Sequence, residues 1–170
     1  MNTDGKKVII KWTTVVGGVV FLIFVLLVLL GGAIEYGFVP DVEALPAGKI
    51  HPRYLEKLRE MEVIDPDERV LYFYSGGLIS IEGDGNLFTK DRVISYKGYA
   101  DEIEIFSATY DEIVAIDFEQ SESWADDSII SVQLRDGAWF TLTVAPESNG
   151  DQRFYKRLLD TWKRNNASIY

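Results

Sequence analysis

Cysteine is absent from this 170-residue chain. Disulfides, thiolate nucleophiles and zinc–thiolate sites are thereby excluded, while either redox compartment remains open. Histidine occurs once, as His51 beside Pro52. Next to a proline suited to the first turn of a helix, it reads as an exposed loop residue rather than a catalytic base. No G-x-S-x-G, phosphate loop, H-E-x-x-H or dinucleotide fingerprint occurs, so hydrolysis and nucleotide chemistry have no motif to rest on. Positive charge is scarce too: 17 Lys and Arg against 27 Asp and Glu leave a net charge of −10. Lys6, Lys7 and Lys11 precede the apolar run against Asp4 alone, so the rest of the chain is more acidic still. Such a surface repels phosphate backbones and anionic head groups, which argues against nucleic acid as a partner.

What the chain does have is one long apolar run. From Trp12 to Ile34 no residue is charged, and at about 1.5 Å per residue the run reaches roughly 34 Å, enough to cross a bilayer. Trp12 and Tyr36 stand at its ends, where amphipathic rings favour the interface. The run is too long for the apolar region of a cleaved leader, although Gly31, Gly32 and Ala33 offer small residues for cleavage. Lysines crowd its N-terminal flank, whereas Glu35, Asp41 and Glu43 follow it. The positive-inside rule then puts residues 1–11 in the cytoplasm, the single span at 12–34 in a bacterial inner membrane, and the remainder in the periplasm.

The next segments differ in rhythm. Residues 35–50 hold Pro40, Pro46 and three acids without a period, and read as a linker. Residues 51–65 read as a short amphipathic helix, with Tyr54, Leu55, Leu58 and Met61 on one face and Pro66 as its stop. From Arg69 onward, short aromatic and β-branched stretches alternate with turn signals: "RVLYFYS", "LISIE", "NLFT", "RVISYKGY", "EIEIFSATY", "EIVAIDFEQ", "SIISVQL" and "AWFTLTV". Seven or so antiparallel strands of this kind make a small half-barrel or sandwich. The closing "DQRFYKRLLDTWKRN" is an amphipathic helix, with Asp151 as its N-cap and Phe154, Leu158 and Trp162 on one face. The fold class expected for residues 66–170 is therefore α+β, mainly β.

One stretch is distinctive. "NLFTKDRVISY" turns a strand around on Thr89-Lys90-Asp91-Arg92, where Lys90-Asp91 make a tight turn and Thr89 and Arg92 can hydrogen-bond around it. It resembles the strand–turn–strand of bacterial pleckstrin-homology-like and GRAM-like domains. "IDPDERVLYFYSGG" resembles their lead-in and first strand, "YDEIVAIDF" a later strand, and "RFYKRLLDTWKR" their closing helix. The resemblance runs from about residue 64 to residue 165 and implies a scaffold for interactions. Phosphoinositide-binding members gather Lys and Arg around the first hairpin, whereas Gly76, Gly77, Glu82 and Asp84 stand here. Phosphoinositides are therefore not the expected ligand.

Candidate sites are few. Thr89, Asp91 and Arg92 form the structural hairpin. Glu82, Asp84 and Asn86 alternate as in calcium loops, but Leu87 stands where such loops need glycine, so an acidic hairpin turn is expected and no metal. Glu102 with Glu104, and Asp111 with Glu112, could pair for acid–base chemistry, yet their alternation puts them on a wet face. In "QSESWADDS", Trp124 is ringed by acids, which marks Trp124, Asp126 and Asp127 for a protein partner. A ring folded back over the barrel mouth fits the pattern as well. The function expected is a non-enzymatic, membrane-anchored interaction module that binds or stabilises another envelope protein, without cofactor. The alternatives are binding of a lipid or small apolar ligand within the β-domain, and a carboxylate-based hydrolase.

Overall fold

The computed structural model describes residues 3–38, 40–41, 43–77, 79–99, 102–123 and 126–167. It forms two compact units, residues 1–36 and 37–170. The first is a single helix, α1 (Thr3–Glu35). Its stretch Thr14–Glu35, with a mean hydropathy of 2.9, is long and apolar enough to cross a membrane. The helix runs on through the lysine-bearing segment that precedes the apolar run.

Among the described residues, the second unit holds eight strands in two antiparallel sheets. β1 (Leu45–Pro46), β2 (Val70–Tyr74), β3 (Asp84–Thr89), β4 (Arg92–Tyr99) and β5 (Glu102–Thr109) form one sheet in that order. β6 (Ile113–Glu119), β7 (Ser128–Leu134) and β8 (Trp139–Val144) form the other. The helices are α2 (Pro52–Glu60) and α3 (Gly150–Ala167).

Two differences from the expected seven strands have physical causes. "LISIE" is not a strand among its described residues. Ile79 is exposed, and the Tyr96 hydroxyl donates to the Ile81 carbonyl at 2.6 Å, pinning a loop where a ladder was expected. The segment read as a linker instead contributes β1, whose Leu45 and Pro46 pair with Phe73 and Tyr72. β1 lies at the sheet edge, where a proline without an N–H costs no ladder bond. Ala44, Leu45 and Ile50 are buried, so the second half of that segment is part of the fold.

The five-stranded sheet is covered on both faces, which explains why its central strands do not alternate. Register places Phe73, Leu87 and Ile94 in one row across the sheet, and Tyr72, Phe88 and Val93 in the next. The first row packs with Tyr54 and Leu58 of α2. The second packs with Ile116, Ile130 and Leu142 of the other sheet and with Phe154 and Leu158 of α3. Phe88 stacks on Tyr72 at 5.8 Å and meets Phe154 edge-on at 5.0 Å, contacts that add about 0.5–1.5 kcal/mol each to area burial. Exposed residues concentrate on β5–β8 and on the end of β4.

Local chemistry ends α2 before Pro66. Glu62 takes a left-handed conformation (φ 57°). Its amide donates to Arg59 at 3.0 Å, and that of Val63 donates to Leu58 at 2.9 Å. This is a Schellman closure, with Val63 and Leu58 packed in the same core. His51 caps the other end by accepting from the Arg53 amide at 3.2 Å. Side chains also tie the layers together. Asn86 on β3 donates to the Thr143 carbonyl of β8 at 2.9 Å, and Ser128 on β7 donates to Asp151 of α3 at 2.6 Å.

Candidate functional site

Two polar clusters sit at opposite ends of β3. At its C-terminal end lies the hairpin marked by Thr89, Asp91 and Arg92. The buried Thr89 hydroxyl accepts from the Asp91 and Arg92 amides, each at 3.1 Å, and donates to Glu68 at 2.7 Å. Arg92 does not pair across the turn; its guanidinium forks onto Glu68 at 3.0 and 2.8 Å. Asp65 is a more distant partner, at 3.7 Å. Burial pushes the Glu68 carboxyl up, but Arg92, Thr89 and the Asp65 amide outweigh it and hold the pKa below the usual glutamate value. Tyr110 completes the network by donating to the Thr89 carbonyl at 2.7 Å. Among the described residues, no buried side-chain N or O atom of this cluster lacks a partner, as a structural hairpin requires.

The other end is an acidic mouth. Tyr74 closes β2, and its hydroxyl lies 3.2 and 3.1 Å from the two Asp127 oxygens. Burial raises the Asp127 pKa; Asp84, Glu147 and Asp126 raise it further, and only the Tyr74 hydrogen bond opposes them. Burial and then Asp127 push the Tyr74 phenol up in turn. Asp84 Oδ1 and Glu147 Oε2 are buried without a hydrogen-bond partner. Just beyond Glu147, Ser148 (φ 52°) and Asn149 (φ 56°) both hold left-handed conformations, at a cost of about 1–3 kcal/mol each. Like charges, orphan acceptors and strained backbone coincide at this mouth.

The loop between β6 and β7 rises beside it on fixed feet. Its first foot is the Ser121 amide, which donates to Ser128 at 3.0 Å; its second is the Asp127–Tyr74 bond. Of the residues marked for a partner, Asp126 is exposed and Asp127 is half-buried, whereas Trp124 lies outside the described residues.

The other candidates disperse. Glu82 pairs with Lys57 at 2.6 Å. Asn86 is buried, accepting from Ser95 at 2.8 Å, and only Asp84 of that trio reaches the mouth. Glu102, Glu104, Asp111 and Glu112 are all exposed. Among the described residues, no group of three or more His, Asp or Glu side chains is placed to hold a metal ion. Two important residues went unmarked by pattern. Glu68 looked like part of a loop lead-in. Trp139, 68% exposed at the start of β8, follows from alternation, because Phe140 beside it faces the core.

No family model and no curated protein matches the chain. Solved structures do resemble it. A crystal structure of a PH-domain-containing bacterial protein from Exiguobacterium sibiricum matches with a TM-score of 0.50 and 18% identity, over 69% of this chain and 63% of that one. This chain thus spans less than two thirds of that protein's length. A protein with a pleckstrin-homology domain from Shewanella loihica matches with a TM-score of 0.46 and 14% identity, over 69% of this chain and 97% of its own. At such identities the likeness concerns the fold alone. With its antiparallel sheets of five and three strands followed by α3, the second unit has a pleckstrin-homology-like fold.

Proposed function

We propose that the chain is a non-enzymatic, membrane-anchored interaction module that binds or stabilises another envelope protein. The observation that carries this reading is the pair of described ends of the β6–β7 connection, tied down at Ser121 and Asp127 beside an acidic mouth, with Asp126 exposed to solvent. Ends tied down before binding leave less to order on docking, and Asp126 and Asp127 suit a partner surface rich in Lys and Arg. In this reading α1 spans the inner membrane with the lysine flank inside, and the second unit is periplasmic. Alkaline phosphatase fused at the C-terminus is then active, and green fluorescent protein fused there is dark; the reverse pattern inverts the topology.

A photo-crosslinking residue at position 126 tests the partner reading in native membranes. It is expected to give a discrete adduct that the same residue at position 104, also exposed, does not. Identical adducts from both positions, or none from 126, would sink the proposal. The hydrolase alternative draws on the raised pKa of Asp127 near three further carboxylates, Asp84, Glu147 and Asp126, but no catalytic motif accompanies them. Lipid binding finds less support, because Tyr72, Phe88 and Phe154 fill the space between the five-stranded sheet and α3.

A further inference from the structure

A basic cleft stands apart from both clusters. Arg69, Lys90, Arg157 and Arg164 line a shallow cavity of about 420 Å³ with Leu71, Thr161 and Asn165. In a chain of net charge −10, four cations share this cleft and no Asp or Glu lines it. They come from the residue before β2, the β3–β4 turn and the later turns of α3. Thr161 is buried, and its hydroxyl donates to the Arg157 carbonyl at 2.8 Å and accepts from Arg164 at 3.3 Å. Arg69, Lys90 and Arg157 have no carboxylate within ion-pair distance among the described residues. Cations gathered this way repel one another until an anion joins them.

The same elements reach the acidic mouth at their other ends. β2 begins after Arg69 and ends at Tyr74, β3 begins at Asp84 and ends before Lys90, and α3 follows Glu147 and bears Arg157 and Arg164 further on. Strand β3 alone, at about 3.3 Å per residue, puts roughly 20 Å between mouth and cleft. No side chain spans that distance, so one molecule's mouth cannot neutralise its own cleft. The two surfaces also match in hydrogen-bonding type. Arg and Lys only donate, whereas ionised Asp126, Asp127 and Glu147 only accept, and Asp126 is exposed.

We propose that the basic cleft receives the acidic mouth of a second copy of this chain, giving head-to-tail self-association through Arg–carboxylate and Lys–carboxylate pairs. The proposal rests on reading the chain as an interaction module and names a partner for the same mouth. Because the two surfaces differ, the contact is heterologous, and it builds rings or open chains rather than a two-fold dimer.

Sedimentation velocity of the full-length chain in neutral detergent micelles tests it. Self-association is expected at low salt, weakening at least about tenfold when the charges are screened at high salt. A double variant Lys90→Glu/Arg157→Glu and a double variant Asp126→Lys/Glu147→Lys should each be monomeric with nearly unchanged melting. Mixed in equal amounts they should associate again, since the first keeps the acidic mouth and the second keeps the basic cleft. A monomeric parent at low salt, association that survives either reversal, or a mixture that stays monomeric overturns the proposal. So does inorganic pyrophosphate binding, lost in the Lys90/Arg157 variant, to a parent that remains monomeric, for the cleft is then a small-anion site. A crosslink from position 126 to a different protein, with a monomeric parent, keeps the partner reading and removes this one.

Discussion

The two ends of β3 solve the problem of polar groups near a core in opposite ways. At the Thr89 end, Arg92, Glu68, two turn amides and a hydroxyl satisfy one another, and the pKa of Glu68 falls. At the Asp84 end, Asp84, Asp127 and Glu147 are left with Tyr74 as the donor, two oxygens have no partner, and the pKa of Asp127 rises. A satisfied network stabilises the fold it sits in, whereas a frustrated one is a cost retained for something outside the fold. On the proposed reading, the difference separates scaffold from interaction surface.

Substitutions can break or sharpen that contrast. The largest effect is expected from Arg92→Ala, which leaves the buried Glu68 carboxylate without its cation and should cost about 3 kcal/mol in denaturant unfolding. The pH dependence has a definite sign. Glu68 has a lowered folded pKa, so its contribution is present above the unfolded value and is lost as pH falls through the folded one. The gap between parent and Arg92→Ala should therefore narrow in acid. Thr89→Val should follow at about 2 kcal/mol, because one hydroxyl serves two amides and Glu68. Tyr74→Phe should cost about 1 kcal/mol or less; a loss as large as that of Arg92→Ala would make the mouth as structural as the hairpin. The smallest effect has the opposite direction. Asp127 has a raised folded pKa, so its cost appears as pH rises from the unfolded value through the folded one. Asp127→Asn should therefore raise Tm slightly at neutral pH and leave it unchanged in acid.

Much of the scaffold was legible because it follows from local rules. "RVISYKGY" and "SIISVQL" became β4 and β7 over the same residues, and the T-K-D-R turn is where the chain reverses. Glycine marks close approaches as well: a Cβ on Gly85 would lie 2.5 Å from the Tyr96 hydroxyl, and one on Gly98 would lie 2.2 Å from the Glu82 carbonyl. The failures share a cause, in that each depends on contacts distant in sequence. "LISIE" carries strand residues, but Tyr96 claims its backbone. Pro46 conceals an edge strand that exists because Tyr72 and Phe73 pair with it. Glu68 looks like lead-in until Arg92 reaches it across 24 positions. The mouth draws its acids from three segments far apart in sequence, and no local pattern predicts their meeting.

The contrast is tested most directly by titrating the side-chain carboxyls of Glu68 and Asp127 by NMR, in the full-length chain in detergent micelles. Glu68 should titrate below the ordinary glutamate value of about 4.3, and Asp127 above the ordinary aspartate value of about 3.9. An Asp127 that titrates at or below its ordinary value would mean that the mouth is satisfied like the hairpin, and would contradict the assignment of scaffold to one end of β3 and interaction surface to the other.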